Sequence, residues 1–232
     1  MTADRDSAVR ESPVGPPVDP SSSEAAILGG ELSVPVRRLL EAGLDVFAER
    51  GFHAATTREI SARAGMSPAA LYIHFRAKTD VLYSLSRLGH EEVLRQLREA
   101  SAATADPVDR IRRLVETFTA FHVHNHRLGR VAQYEHRALG GEQYASILEL
   151  RRQIDGVLRH ALVDGMRTGA LQVDDVSGVL TAIASLCIDV VRWRETGPRW
   201  SAERLASLNG RLVLSMLGAH APATTEAEGT TS

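Results

Sequence analysis

Apolar residues recur along this chain at intervals of three and four, and no segment sustains the strict alternation of a β-strand. The pattern predicts an all-α fold of about nine helices. Leu39, Leu40, Gly43, Leu44 and Phe47 form one stripe of a first helix over 34–50, which Gly51 closes. A second helix, over 57–64, takes Thr56 or Thr57 as N-cap, turns Ile60 and Ala64 inward and stops at Gly65. Ser67 caps a short third helix that ends near Phe75, and Pro68 sits at its first position, where a missing N–H costs nothing. A fourth runs from about Thr79 to Ala100, and Asp106-Pro107 opens the next. The longer elements that follow are predicted at 107–126, 128–139, 142–168, 175–195 and 201–218, punctuated by Gly140-Gly141, Gly169 and Gly197-Pro198.

Both ends break the pattern. Residues 1–33 are rich in Pro, Ser, Gly and scattered charge, and 219–232 read the same way, so both are expected to be disordered. At 232 residues the chain is long enough for one full domain or two small ones. Its single cysteine excludes a disulfide framework and a Cys-based zinc site. No apolar run approaches the ~18 residues of a membrane span and no signal peptide opens the chain, so a cytoplasmic protein with no membrane partner is expected. The net charge of −2 requires any nucleic-acid binder of this composition to confine its basic surface to a patch.

The unit 56–75, TTREISARAGMSPAALYIHF, reads as helix, four-residue turn containing Gly65, and helix. That geometry lays a second helix into the major groove of DNA. The second helix opens on the small residues Ser67, Pro68, Ala69 and Ala70, which permit close approach to base edges. Arg58 lies in the first turn of the supporting helix, and the phosphate-type donors Thr57, Tyr72, His74 and Lys78 stand around the unit. Lys78 is the one lysine among 27 basic residues. Across 35–80 seven basic side chains face five acidic ones, a modest local excess of positive charge.

Over 37–82 the chain resembles the TetR-type transcriptional repressors. The likeness lies in FAERGFHAATT, then REISARAGMS, then ALYIHFRAKTDVL, and is most specific at Leu71, Tyr72, His74, Phe75, Lys78 and Leu82. The resemblance implies a helix-turn-helix DNA-binding domain over 34–80 and a helical regulatory and dimerisation domain over 81–218. It also implies that Thr57, Tyr72, His74 and Lys78 hold operator phosphates, which position the protein without specifying sequence. Lys78 would place a compact point charge where a helix N-terminus already favours an anion. Arg58 is then the candidate reader of guanine O6 and N7, while Ala69 and Ala70 touch only thymine methyls. Pro68 stands where some relatives carry a polar residue, so DNA shape is expected to supply part of the specificity.

In the second domain, VLTAIASLCIDVV within 175–195 is apolar on nearly every side. The helix over 201–218 carries a wide stripe from Leu205, Leu208 and Leu212 to Leu217. Such helices must be covered on all sides, and a homodimer built as a four-helix bundle would cover them. Residues Phe118, His122, Tyr134, Tyr144, Arg151 and Trp193 are the candidates for lining an effector pocket, with Arg151 and Asp155, one turn apart, expected to pair. Family resemblance implies an acyl or acyl-CoA-like small-molecule effector that releases the protein from a palindromic operator. No cofactor is expected. The competing reading is a helical-bundle metal protein or enzyme using His122, His124, His126 and His136. No Cys, H-E-x-x-H or paired Glu-x-x-His joins them, and no Gly-rich phosphate loop or nucleophile motif is present.

Overall fold

A computed structural model describes residues 24–192 and 200–219. Among them the chain forms ten α-helices and one 3-10 turn, with no strand. These are α1 (Glu24–Gly29), α2 (Val34–Ala54), α3 (Thr57–Arg63), α4 (Pro68–His74), α5 (Lys78–Ala102), α6 (Pro107–His124) and α7 (His126–Tyr134), then the 3-10 turn His136–Ala138, α8 (Gly141–Arg167), α9 (Val176–Ile188) and α10 (Ala202–Met216).

Local chemistry explains most of the boundaries. Thr56 and Glu59 cap α3 reciprocally, the Thr56 hydroxyl accepting from the Glu59 amide and the Glu59 carboxylate from the Thr56 amide. Ser67, Asp106, Asp175 and Ser201 each accept an amide hydrogen bond at the start of α4, α6, α9 and α10. α2 changes direction at Gly51, whose φ of 75° a side-chain-bearing residue rarely adopts.

Three expectations require correction. Residues 24–33 are not part of a disordered arm: α1 buries Leu28 to 2% exposure. The Glu24 carboxylate accepts the Arg127 and Leu128 amides, so it caps α7 from a distant part of the chain. Six residues are too few to show helical period, which is why the sequence pattern missed them. The helix placed over 175–195 is interrupted: α9 ends at Ile188 with Asp189 as its C-cap, residues 190–192 are helical again, and 193–195 lie outside the described residues. The helix placed over 128–139 starts at His126 and gives way after Tyr134 to the 3-10 turn.

The core has two main parts. One gathers Leu39, Leu44 and Phe47 of α2, Ile60 of α3, Leu71 of α4 and Leu82 of α5 against Leu128 of α7 and Ile147 of α8. The other joins Leu97, Leu114, Phe118, Leu158, Ile183 and Val213 from α5, α6, α8, α9 and α10. The 25-residue α5 contributes to both, with Leu82 and Leu85 at one end and Val93 to Leu97 further along. At about 1.5 Å per residue it spans roughly 37 Å, so it is a rigid rod between the two regions. Gly43 lets α2 lie close on it: a Cβ there would come within 2.5 Å of Val81 Cγ1.

Candidate functional site

In the helix-turn-helix, residues 64–67 form the turn, and Gly65 takes a φ of 67° there. Leu71 and Phe75, one turn apart, anchor α4 in the core. Its opposite face is therefore presented outward: Ser67, Pro68, Ala69, Tyr72, Ile73 and His74 are exposed, and Ala70 is half-buried. Thr57 at the head of α3 and Tyr72 on α4 meet, their hydroxyls 3.1 Å apart. Two of the three candidate phosphate donors other than Lys78 thus share one patch.

Charge pairing separates the arginines. Arg50 bonds Glu59 at 2.6 Å and Arg63 bonds Glu49 at 2.7 Å, so both brace α3 against α2. Arg58 is exposed and forms no ion pair among the described residues, leaving its five donors available. Ile73, which the sequence reading passed over, is 79% exposed at the centre of the outward face. Its position two residues from both Leu71 and Phe75 made that orientation legible.

Lys78 makes contacts that the sequence did not suggest. Its ammonium is turned away from the outward face and donates to three backbone carbonyls, of Phe52 (2.8 Å), His53 (3.1 Å) and Ala55 (2.8 Å). It also lies 4.5 Å from the centre of the Phe52 ring.

The six effector-pocket candidates divide. Phe118 and His122 are buried on α6, ring against ring at 4.9 Å. Tyr144 stacks on His136 at 6.2 Å. Tyr134 is 53% exposed. Trp193 lies outside the described residues. The expected Arg151–Asp155 pair is replaced: Asp155 faces solvent, and Arg151 donates to His90 Nε2 (3.2 Å), to the Ala132 carbonyl (3.3 Å) and to Gln133 Oε1 (3.1 Å). A helix turn puts the two side chains on one stripe, but α5 and α7 offered Arg151 nearer acceptors.

His90, which the sequence reading also missed, sits at the centre of this group. Its Nδ1–H donates to the Ser86 carbonyl at 2.7 Å and its Nε2 accepts from Arg151, an arrangement only the neutral imidazole satisfies. Burial pushes His90 down to about 4, and burial does the same to His122, whose Nδ1–H donates to the Phe118 carbonyl. Three further polar atoms, Ser86 Oγ on α5, Asn125 Oδ1 between α6 and α7 and His126 Nδ1 at the start of α7, are buried without a partner. Among the described residues no three His, Cys, Asp or Glu side chains are placed to hold a metal ion. Cys187 is equally inert as a nucleophile, since burial pushes its thiol up to about 12.

A short outward-facing helix on a glycine turn, carried by a helical body, places the chain in the helix-turn-helix class of DNA-binding proteins. Residues 39–85 match the profile of bacterial regulatory proteins of the tetR family, and residues 104–217 that of the tetracyclin repressor-like C-terminal domain. A crystal structure of a tetR-family regulator from Rhodococcus RHA1 is 34% identical and superposes with a TM-score of 0.78, covering 82% of this chain and all of that one. The chain belongs to the tetR family. It is also similar to the transcriptional repressor KstR2 of Mycobacterium tuberculosis, at 28% identity over 81% of this chain and 94% of that protein. The structure of that ketosteroid regulator superposes with a TM-score of 0.75 and covers 83% of this chain and 98% of that one. The fatty acid metabolism regulator of Bacillus subtilis is 26% identical over 60% of this chain and 69% of its own length. No described helix is long and apolar enough to cross a membrane.

Proposed function

We propose that this protein is a cytoplasmic homodimeric repressor that binds a palindromic operator and is released by an acyl or acyl-CoA-like effector. The DNA-binding domain spans 34–80 and the regulatory domain 81–218. Arg58 reads a base edge, Thr57, Tyr72 and His74 grip phosphates, and Ser67, Ala69 and Ala70 allow α4 to approach the groove.

The observation that carries the effector reading is the buried polar cluster of His90, Ser86 and Arg151. A neutral histidine, a half-buried Arg151 with no ion pair among the described residues, and the unpartnered Ser86 Oγ one helical turn from His90 sit together in the interior. Such groups are costly unless something polar completes them. The relatives named as a fatty acid metabolism regulator and a ketosteroid transcriptional regulator suggest a lipid-derived molecule with one polar end. Phe118, His122, Tyr144 and Arg151 would line its site, and Tyr134 and Trp193 are further candidates. Because α5 and α7 carry this cluster and also pack on the DNA-binding helices, an effector that shifts them would change the spacing of the two recognition helices.

The dimer reading is supported on α9 and α10. Leu212 and Met216 are 45% and 49% exposed on α10. On α9 the exposed Thr181 and Ser185 hydroxyls each donate to a carbonyl one turn back, at 2.9 Å, so that face could be covered by a second copy with little desolvation cost.

The test is to select bound fragments from the source genome with purified protein, then challenge the complex with fatty acyl-CoA and steroid-acyl-CoA series. Release by one series at micromolar concentration supports the proposal. Recovery of a palindromic fragment that no member of either series releases would refute the effector class while leaving operator binding intact.

A further inference from the structure

Lys78 lies at the first position of α5, immediately after the helix-turn-helix, yet its side chain reaches back to the residues immediately before it. The carbonyls of Phe52, His53 and Ala55 end the α2 segment, where helix geometry leaves acceptors without partners and the backbone dipole is negative. An ammonium carries three N–H groups, and all three are engaged. The Phe52 ring closes the remaining side of the charge. A phosphate contact by this nitrogen would have to break one of these bonds.

We propose that Lys78 is a positioning residue that clamps the base of the helix-turn-helix rather than a ligand of the DNA backbone. The proposal rests on the DNA-binding reading of α3 and α4. Ala55 and Lys78 are 23 residues apart, and everything between them is the α3–turn–α4 unit. One cation therefore joins the two ends of the loop that presents Arg58 and Tyr72. The Asp80 carboxylate reinforces the same corner by accepting the Arg76 and Ala77 amides. This geometry also explains why the chain keeps a single lysine among so many arginines. A compact head with three tetrahedral donors fits a cup of converging carbonyls, and a planar guanidinium does not.

The experiment compares wild type with Lys78→Met and Lys78→Arg by two measurements. The first is amide hydrogen exchange of the free full-length protein. In Lys78→Met the Ala55 and Thr56 amides are expected to exchange roughly tenfold faster, with the α8 and α10 amides unchanged. The second is operator affinity as a function of salt. A lost phosphate contact lowers the slope of log K against log salt by about one. Loss of the clamp instead lowers affinity by at least about tenfold at every salt concentration and leaves the slope unchanged. Lys78→Arg keeps the charge, so it restores binding if Lys78 holds a phosphate and fails to restore it if Lys78 is a clamp. Unchanged exchange at 55–56 in Lys78→Met, or a slope reduced by one with rescue by Arg, would overturn the proposal. Absence of DNA binding by wild type overturns the DNA-binding reading alone, because the exchange measurement still judges the clamp.

Discussion

Acid should destabilise this protein through two buried histidines. His90 and His122 are displaced by burial from 6.5 to about 4 in the folded chain. Unfolded, both regain ordinary imidazole behaviour. Above pH 6.5 both states are neutral and the groups add no pH dependence. As pH falls through 6.5 the unfolded chain takes up protons that the folded chain refuses, and the loss levels off below about 4. Each group accounts for about 3 kcal/mol across the whole window and about 2 kcal/mol at pH 5.0. The pair thus removes about 4 kcal/mol between pH 7.5 and 5.0, a large share of the ~5–15 kcal/mol stability of an ordinary domain. Urea unfolding at the two pH values measures the drop. His122→Leu is expected to lower stability at pH 7.5, since the ring's hydrogen bond to Phe118 is lost, yet to shrink the drop by about 2 kcal/mol. An equal drop in wild type and variant, or an NMR titration of either ring near pH 6.5 in the folded protein, would refute the reasoning.

Other substitutions probe the remaining parts. Arg58→Ala should weaken operator binding by about 1–3 kcal/mol and relax preference at a single base-pair position, read by competition among singly substituted operators; uniform weakening across sequences would reassign Arg58 to a phosphate. Met216→Glu, alone or with Leu212→Glu, should shift sedimentation from dimer to monomer without loss of helical signal, and an unchanged dimer would place the interface elsewhere. Glu24→Gln removes the charge that holds Arg127 and the start of α7. It should cost about 1 kcal/mol, visible as a lower melting temperature; an unchanged melt would make α1 an energetically idle attachment.

Much of this architecture was legible because helices announce themselves twice, by period and by caps. Ser67-Pro68 and Asp106-Pro107 were read as helix starts, and the structure caps both with the side chains named. The α4 face was equally readable, since Leu71 and Phe75 fix which side turns inward. What the sequence hid was contact between distant segments. Lys78 finds carbonyls 23 to 26 residues earlier, and Glu24 caps a helix 103 residues later. Backbone acceptors leave no trace in a residue pattern, so reading Lys78 as a phosphate ligand gave no hint of these carbonyls. Arg151 failed similarly: its neighbour in sequence, Asp155, was visible, but His90 and Gln133 on other helices were not. Ser86 and His90 are ordinary helix residues, and Asn125 an ordinary cap, until packing buries them.

The central claim is specific, electrostatically driven operator binding by the outward face of α3 and α4. Its most direct test is a fluorescence titration of the full-length protein against the duplex upstream of its own gene and a scrambled duplex, each at two salt concentrations. Binding that requires the palindrome, takes up two chains per site and weakens steeply as salt rises is the predicted result. Equal affinity for both duplexes, or affinity indifferent to salt, after genomic selection has also failed to yield a preferred sequence, would contradict the account.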